Sequence, residues 1–142
     1  INNKMPLVTL NKLKKYFKGS LKERNILLMG VTYRQDVGDT RFSPSEIFIK
    51  SALLEEANIR AYDPLVNYWD KVEIDMETKL PDSAEFDAVV FAVPHKEFAL
   101  LDFTKWIAGN SVLLFDANNV LTEKQVNDIK ENKINYMSIG RG

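Results

Sequence analysis

The side chains best suited to chemistry crowd into one stretch, Gly30-Val31-Thr32-Tyr33-Arg34-Gln35-Asp36-Val37-Gly38-Asp39-Thr40-Arg41-Phe42-Ser43-Pro44. Arg34 and Arg41 each carry a planar fork of N–H donors that matches phosphate oxygens. Tyr33 offers an aromatic face for a base and a hydroxyl for a sugar. These types together suit a phosphorylated, base-bearing ligand. They equally describe a surface loop whose arginines pair with Asp36 and Asp39. Two common phosphate-binding designs are excluded. A dinucleotide fingerprint sets three glycines in a tight turn that opens a helix directly after a strand. Here Gly30 stands alone, and the helix-capping Ser43 lies thirteen residues further on. A P-loop needs a glycine-lysine-threonine cluster, and none occurs.

Other polar residues at the ends of apolar runs carry less. Asp63 stands where a Rossmann domain holds a ribose, but without the glycine turn it reads as a turn residue before Pro64. His95 is the only histidine. With no serine or cysteine nucleophile nearby it makes no triad, and Pro94-His95 reads as the end of a strand. A phosphoacceptor domain would need paired acids after its first strand, and Val31-Thr32-Tyr33 supplies none. The sequence has no cysteine, which excludes a disulfide framework, a thiolate zinc site and a cysteine nucleophile within this chain.

The elements that must position these residues follow from the hydrophobic pattern. Asn25–Val31, Ile59–Tyr62, Asp87–Val93 and Ser111–Phe115 are short apolar runs bounded by turn residues, which predicts buried strands. Ile134–Ile139 adds a candidate edge strand. Ser43, Pro44 and Glu46 form a capping-box pattern, with Phe42 and Ile47 at hydrophobic-staple spacing, for a helix running to about Ala57 and ended by Asn58. Thr122 and Gln125 repeat the box, and Leu121 and Val126 the staple, at the start of the last helix. Lys96–Leu101 and Phe103–Ile107 read as short helical pieces. Tyr68, Trp69, Val72, Ile74 and Met76 suggest a short helix in the least legible segment, residues 65–84. Strands apolar on both faces and alternating with helices predict an α/β fold: a doubly wound, mainly parallel, Rossmann-like sheet of about five strands with flanking helices. Ligands of such sheets bind beyond the carboxyl ends of the strands, where Gly30–Arg41, Asp63-Pro64, Pro94-His95 and Asp116–Val120 all fall.

Ahead of the first strand, Leu7, Leu10, Leu13 and Phe17 recur at helical spacing, with Pro6 in the first turn and Gly19 to close the helix. Residues 1–25 carry a net charge of +6 and the remaining 117 a net of −7. The basic segment could touch nucleic acid or a membrane surface. An amphipathic helix that packs elsewhere in a larger protein explains it better, because no base-stacking aromatics are interleaved. The sequence is 45% hydrophobic and 27% charged, close to a soluble globular average. No apolar run is long enough to span a bilayer. The chain opens on Ile1 without a signal-peptide pattern, and the expectation is a piece of a cytoplasmic protein with neither nucleic-acid nor membrane partner.

The run Gly30, Tyr33, Arg34, Asp39-Thr40-Arg41 and Ser43-Pro44 resembles the signature of the carboxyl-terminal, UDP-binding domain of the UDP-glucose/GDP-mannose dehydrogenases. Ala61-Tyr62-Asp63-Pro64, Phe86 through Pro94-His95, Phe115 through Leu121 and the terminal Ile139-Gly140-Arg141-Gly142 are similar to the family in the same order. The resemblance implies a division into residues 1–22, the end of an inter-domain linker helix, and residues 23–142, the UDP-binding domain. It also implies oxidation of a sugar C6 alcohol to the carboxylate with NAD. The NAD-binding turn and the catalytic cysteine would lie upstream, so this chain alone is expected to be inactive. By similarity Tyr33 and Arg34 line the nucleotide-sugar site, and Arg41 reaches NAD across a domain cleft. Asn118 stands in a nucleotide-contacting element. Two residues depart from the pattern: Arg34 replaces a lysine, keeping charge in a wider fork, and Asn118 replaces an arginine, keeping hydrogen bonding without charge. The family implies a homodimer. Alternatives are a non-catalytic nucleotide-binding or regulatory module of the same fold and, from the basic helix, a nucleic-acid-binding domain.

Overall fold

The structure, a computed structural model, describes residues 5–41 and 43–139. The Phe42 half of the first staple and the terminal Gly140-Arg141-Gly142 lie outside the described residues. The chain runs α1 (Met5–Tyr16), β1 (Asn25–Met29), α2 (Pro44–Leu54), β2 (Asn58–Tyr62), β3 (Met76–Glu77), β4 (Ala88–Phe91), α3 (Lys96–Ala99), α4 (Phe103–Ile107), β5 (Leu113–Asp116), α5 (Glu123–Glu131) and β6 (Asn135–Ser138). The strands form one six-stranded sheet in the order β3-β2-β1-β4-β5-β6, and every neighbouring pair is parallel. The order reverses between β1 and β4, so their carboxyl ends border the crevice where such sheets take ligands.

Alternation along β1 explains the two layers. Ile26 and Leu28 face one core, with Leu10, Leu13, Phe48, Ile49, Val90 and Phe115. Leu27 and Met29 face the other, with Val89, Phe91, Phe98, Phe103 and Ile129. Each fully buried side chain of this size contributes about 1.5–3 kcal/mol. A strand covered on both faces has no polar position to spare, which is why it reads as a continuous apolar run.

Four expectations need correction. The sheet has six strands rather than about five, because β3 is a two-residue edge strand. Residues 65–75 hold no helix; Val66, Trp69 and Val72 instead dip into the first core from an irregular segment. The helix α2 stops at Leu54, Glu56 turns the chain with φ 63°, and Asn58 opens β2 instead of ending the helix. The amphipathic α1 packs on this domain: Leu10 and Leu13 enter the first core, and Lys14 Nζ lies 3.2 Å from Glu55 Oε1. Gly19 closes α1 as expected, with φ 95° and its N–H donating to Lys14 O.

The caps divide. Thr122 and Gln125 form the full reciprocal box at α5, and Leu121 and Val126 share the second core. At α2 the Ser43 hydroxyl accepts from the Ser45 N–H at 3.1 Å. Glu46 completes no box there and turns to Lys50, at 3.2 Å. Within the described residues, no helix is long and apolar enough to cross a membrane.

Candidate functional site

The β1–α2 loop begins with a constraint on backbone shape. Gly30 has φ +100°, and an added Cβ would lie 2.7 Å from Val93 Cβ and 3.0 Å from the Val93 backbone N. Only glycine combines that dihedral with that approach. The Gly30 N–H donates to Tyr62 O, and its carbonyl accepts from the Ser45 hydroxyl at 3.1 Å. The loop therefore leaves the sheet anchored to both β2 and α2.

Beyond Gly30, three buried polar side chains from three strand ends set its course. Asp63 Oδ2, at the end of β2, accepts from the Val31 N–H at 2.8 Å, and its Oδ1 accepts from the Leu65 N–H at 2.9 Å. His95, after β4, places Nε2 2.9 Å from Asp63 Oδ2 and 3.2 Å from Thr32 Oγ1. Its Nδ1 accepts from the Asp36 N–H at 2.8 Å. Thr32 in turn donates its hydroxyl to Arg34 O at 2.7 Å. The Asp36 carboxylate accepts from the Lys96 N–H at the start of α3, and Tyr33 N–H closes the loop on Asp39 O.

The loop so held forms a concavity of about 370 Å³ lined by Tyr33, Arg34, Val37, Asp39 and Arg41. Three of the four residues expected to recognise ligand thus come together. The Arg34 guanidinium carbon stands 5.7 Å from the Tyr33 ring centroid, within cation–π reach. Among the described residues Arg34 forms no ion pair. Arg41 does: its Nε and Nη2 bond to the Asp39 carboxylate, at 3.0 Å to Oδ1 and 2.8 Å to Oδ2. The Arg41 hydrogen bonds hold the Asp39 carboxyl down at about 2, and Asp39 raises the Arg41 guanidinium above its ordinary value. So the surface-loop reading holds for Arg41 and Asp39, but not for Arg34 and Asp36.

Asn118 is not among the residues lining the concavity. It sits on the exposed loop after β5, where its Nδ2 donates to Ala92 O at 3.0 Å. That loop is shaped by the buried Asp116, whose carboxylate accepts from the N–H groups of Asn118, Val120 and Leu121. At the end of β2, the Tyr62 hydroxyl donates to Glu97 Oε2 at 2.6 Å; burial first, then this bond, pushes the phenol up to about 12. Among the described residues no group of three histidine, cysteine, aspartate or glutamate side chains could hold a metal ion.

Sequence reasoning gave Asp63 its turn role but missed its hold on Val31 and His95, and it missed the ordering roles of Thr32 and Asp116. The available signal was position: each is a polar residue within a few places of an apolar strand's carboxyl end. The β1–α2 turn itself does not fit NAD as a resident cofactor. The glycine at its start, Gly30, is packed on Val93, and the Ser45 N–H at the start of α2 is taken by Ser43.

A parallel sheet of this order, with cationic and aromatic side chains beyond its strand ends, defines a doubly wound domain of the nucleotide-binding type. The chain belongs to the UDP-glucose/GDP-mannose dehydrogenase family, matching its UDP binding domain over residues 27–123. It is 26% identical over 137 residues to a UDP-glucose 6-dehydrogenase of Rickettsia bellii, covering 90% of this chain and 31% of that protein. It is 30% identical over 149 residues to a UDP-N-acetyl-D-mannosamine dehydrogenase of Pyrococcus horikoshii, covering all of this chain and 32% of that one. The chain thus spans about a third of the length of these relatives. Its fold is shared with the solved NDP-N-acetyl-D-galactosaminuronic acid dehydrogenase of Methanosarcina mazei (TM-score 0.76, 23% identity, 99% of this chain and 30% of that one). The P. horikoshii UDP-D-ManNAc dehydrogenase structure is comparable, at TM-score 0.72 and 23% identity over 99% of this chain and 32% of that one.

Proposed function

We propose that this chain is the nucleotide-sugar-binding domain of an NAD-dependent UDP-sugar 6-dehydrogenase, of UDP-glucose or UDP-N-acetylmannosamine type, which takes the sugar C6 alcohol to the carboxylate. The observation that carries the reading is the concavity in which Tyr33 and Arg34, which forms no ion pair among the described residues, stand together at a strand end. Arg34 meets the diphosphate, because among the described residues its fork of donors holds no ion pair, whereas that of Arg41 is bonded to Asp39. Tyr33 supplies ring and hydroxyl to base and ribose, and Asn118 contributes an uncharged hydrogen bond from the neighbouring loop. Arg41 is offered to NAD bound outside this chain. The whole protein acts as a cytoplasmic homodimer.

The test is turnover by the protein at its natural length. UDP-glucose, UDP-N-acetylmannosamine and GDP-mannose are supplied with NAD, and NADH formation is followed. Arg34→Ala removes a charge-assisted contact worth about 1.5–3 kcal/mol, so UDP-sugar affinity by calorimetry falls roughly tenfold to a hundredfold. An unchanged dissociation constant refutes the role of Arg34. A second reading, a non-catalytic nucleotide-binding module, draws on Asn118, whose side-chain amide is already bonded to Ala92 O. Nucleotide binding by the natural-length protein without NADH formation from any nucleotide sugar would favour it.

A further inference from the structure

We infer that His95 is the positioning residue of the nucleotide loop, fixing Tyr33 and Arg34 from beneath as a neutral imidazole of one tautomer; the inference rests on the proposed nucleotide role of that loop. The hydrogen bonds assign the protons. Asp36 N–H points at Nδ1 from 2.8 Å, so Nδ1 carries the lone pair and the ring proton sits on Nε2. That proton faces Asp63 Oδ2 at 2.9 Å and Thr32 Oγ1 at 3.2 Å. Thr32 has already given its own hydroxyl proton to Arg34 O, so its oxygen is free to accept. Each of the ring's two nitrogens thus has a partner of the right kind.

The consequence is geometric. Residues 33–35 span two points fixed by one ring: Thr32, whose hydroxyl holds Arg34 O, and Asp36, whose amide ends on Nδ1. Asp36 is kept at φ 57°, a left-handed conformation that aspartate adopts more readily than most residues, and its N–H in that conformation points at the ring. The imidazole cannot drift, because its side chain is 1% exposed, Asp63 pins one end, and the Phe98 ring meets it edge-on at 5.5 Å. His95 touches no ligand group in this arrangement. It acts through the loop, and the imidazole joins the ends of β2 and β4 to the loop that leaves β1.

Two variants split the two nitrogens. In His95→Asn the carboxamide oxygen can still accept at the Nδ1 place. In His95→Gln the amide reaches the Nε2 place and leaves Asp36 N–H without an acceptor. In the natural-length protein, hydrogen–deuterium exchange across residues 33–36 should quicken in His95→Gln and stay closer to the parent in His95→Asn. The KM for the UDP-sugar should rise about tenfold in His95→Gln, the loss of one ordering hydrogen bond, with kcat kept within about twofold. Nitrogen-15 spectra of the parent's histidine should show the Nε2-protonated neutral ring, a readout that needs no variant. Unchanged exchange in His95→Gln, or a proton on Nδ1, overturns the inference while Arg34→Ala still tests the nucleotide reading separately. Faster exchange with unchanged KM, where Arg34→Ala does lose affinity, also overturns it. If neither substitution moves affinity, the nucleotide reading itself falls and the inference with it.

Discussion

Replacing Gly30 with alanine should destabilise the domain through two additive terms, and a second glycine separates them. The dihedral φ +100° costs an L-residue about 1–3 kcal/mol. The new Cβ would also lie 2.7 Å from Val93 Cβ and 2.9 Å from Val93 Cγ2. Val93 is buried and its backbone N is also 3.0 Å away, so the side chain cannot swing clear; such overpacking adds about 1–3 kcal/mol. Gly19 has nearly the same dihedral, φ +95°, with nothing within 4 Å of an added Cβ. Gly19→Ala therefore carries the backbone term alone. The difference between the two variants is the steric term, about 1–3 kcal/mol, which for a domain of this size separates their melting temperatures by about 3–15 °C. Urea unfolding of both variants, with the parent m-value retained, measures it directly. If Gly30→Ala and Gly19→Ala melt together, Val93 yields without cost, and the close approach does not set the start of the loop.

Two further outcomes follow from the loops. Asp116→Ala leaves the buried Val120 and Leu121 N–H groups without the carboxylate, at about 1–3 kcal/mol each; chemical denaturation should show a loss of about 2–6 kcal/mol, and Asp116→Asn, which keeps one carbonyl oxygen, should lose less. The Asp39 carboxyl is held at about 2, below its unfolded value, so the Asp39–Arg41 pair is fully formed above the ordinary carboxylate range and is lost as pH falls through about 2; a carbon-13 titration of Asp39 with a midpoint near 4 would show that the pair does not form in solution.

How much of this was legible in the sequence depended on what each residue was spaced against. The buried strands β1, β4 and β5 were readable because a doubly covered strand has no choice but to be apolar nearly throughout, β2 because buried Ile59 and Ala61 alternate ahead of the Asp63-Pro64 turn, and α5 because a capping box is a local pattern. Residues 65–75 misled for a physical reason: Trp69 and Val72 stand three residues apart, a spacing that a helix face and an irregular segment dipping repeatedly into a core produce alike. The edge strand β3, at two residues, is too short to show any period. In the loop, Tyr33, Arg34 and Arg41 stood out by chemical type. The link among Thr32, Asp63 and His95 could not, because those residues are 31 and 32 positions apart and meet only once β2, β1 and β4 lie side by side.

The two arginines of the loop differ in their partners. Arg41 spends Nε and Nη2 on Asp39 in an exposed pair, so its charge is already offset within the loop and only its remaining N–H donors are left to direct. Arg34 has no ion pair among the described residues, and its guanidinium rests near the Tyr33 ring. On the proposed reading, a diphosphate approaching the concavity meets at Arg34 a guanidinium that holds no ion pair among the described residues, although its charge also acts on the Asp39 carboxylate. In an exposed site the Coulomb attraction is small, about 1 kcal/mol for unit charges 4 Å apart in water, so charge alone would bind weakly. What raises it is a loop backbone already held in place, which leaves less to order on binding. On the proposed reading that hold comes from below: the Thr32 hydroxyl on the Arg34 carbonyl and the His95 ring on the Asp36 amide fix the backbone about Arg34.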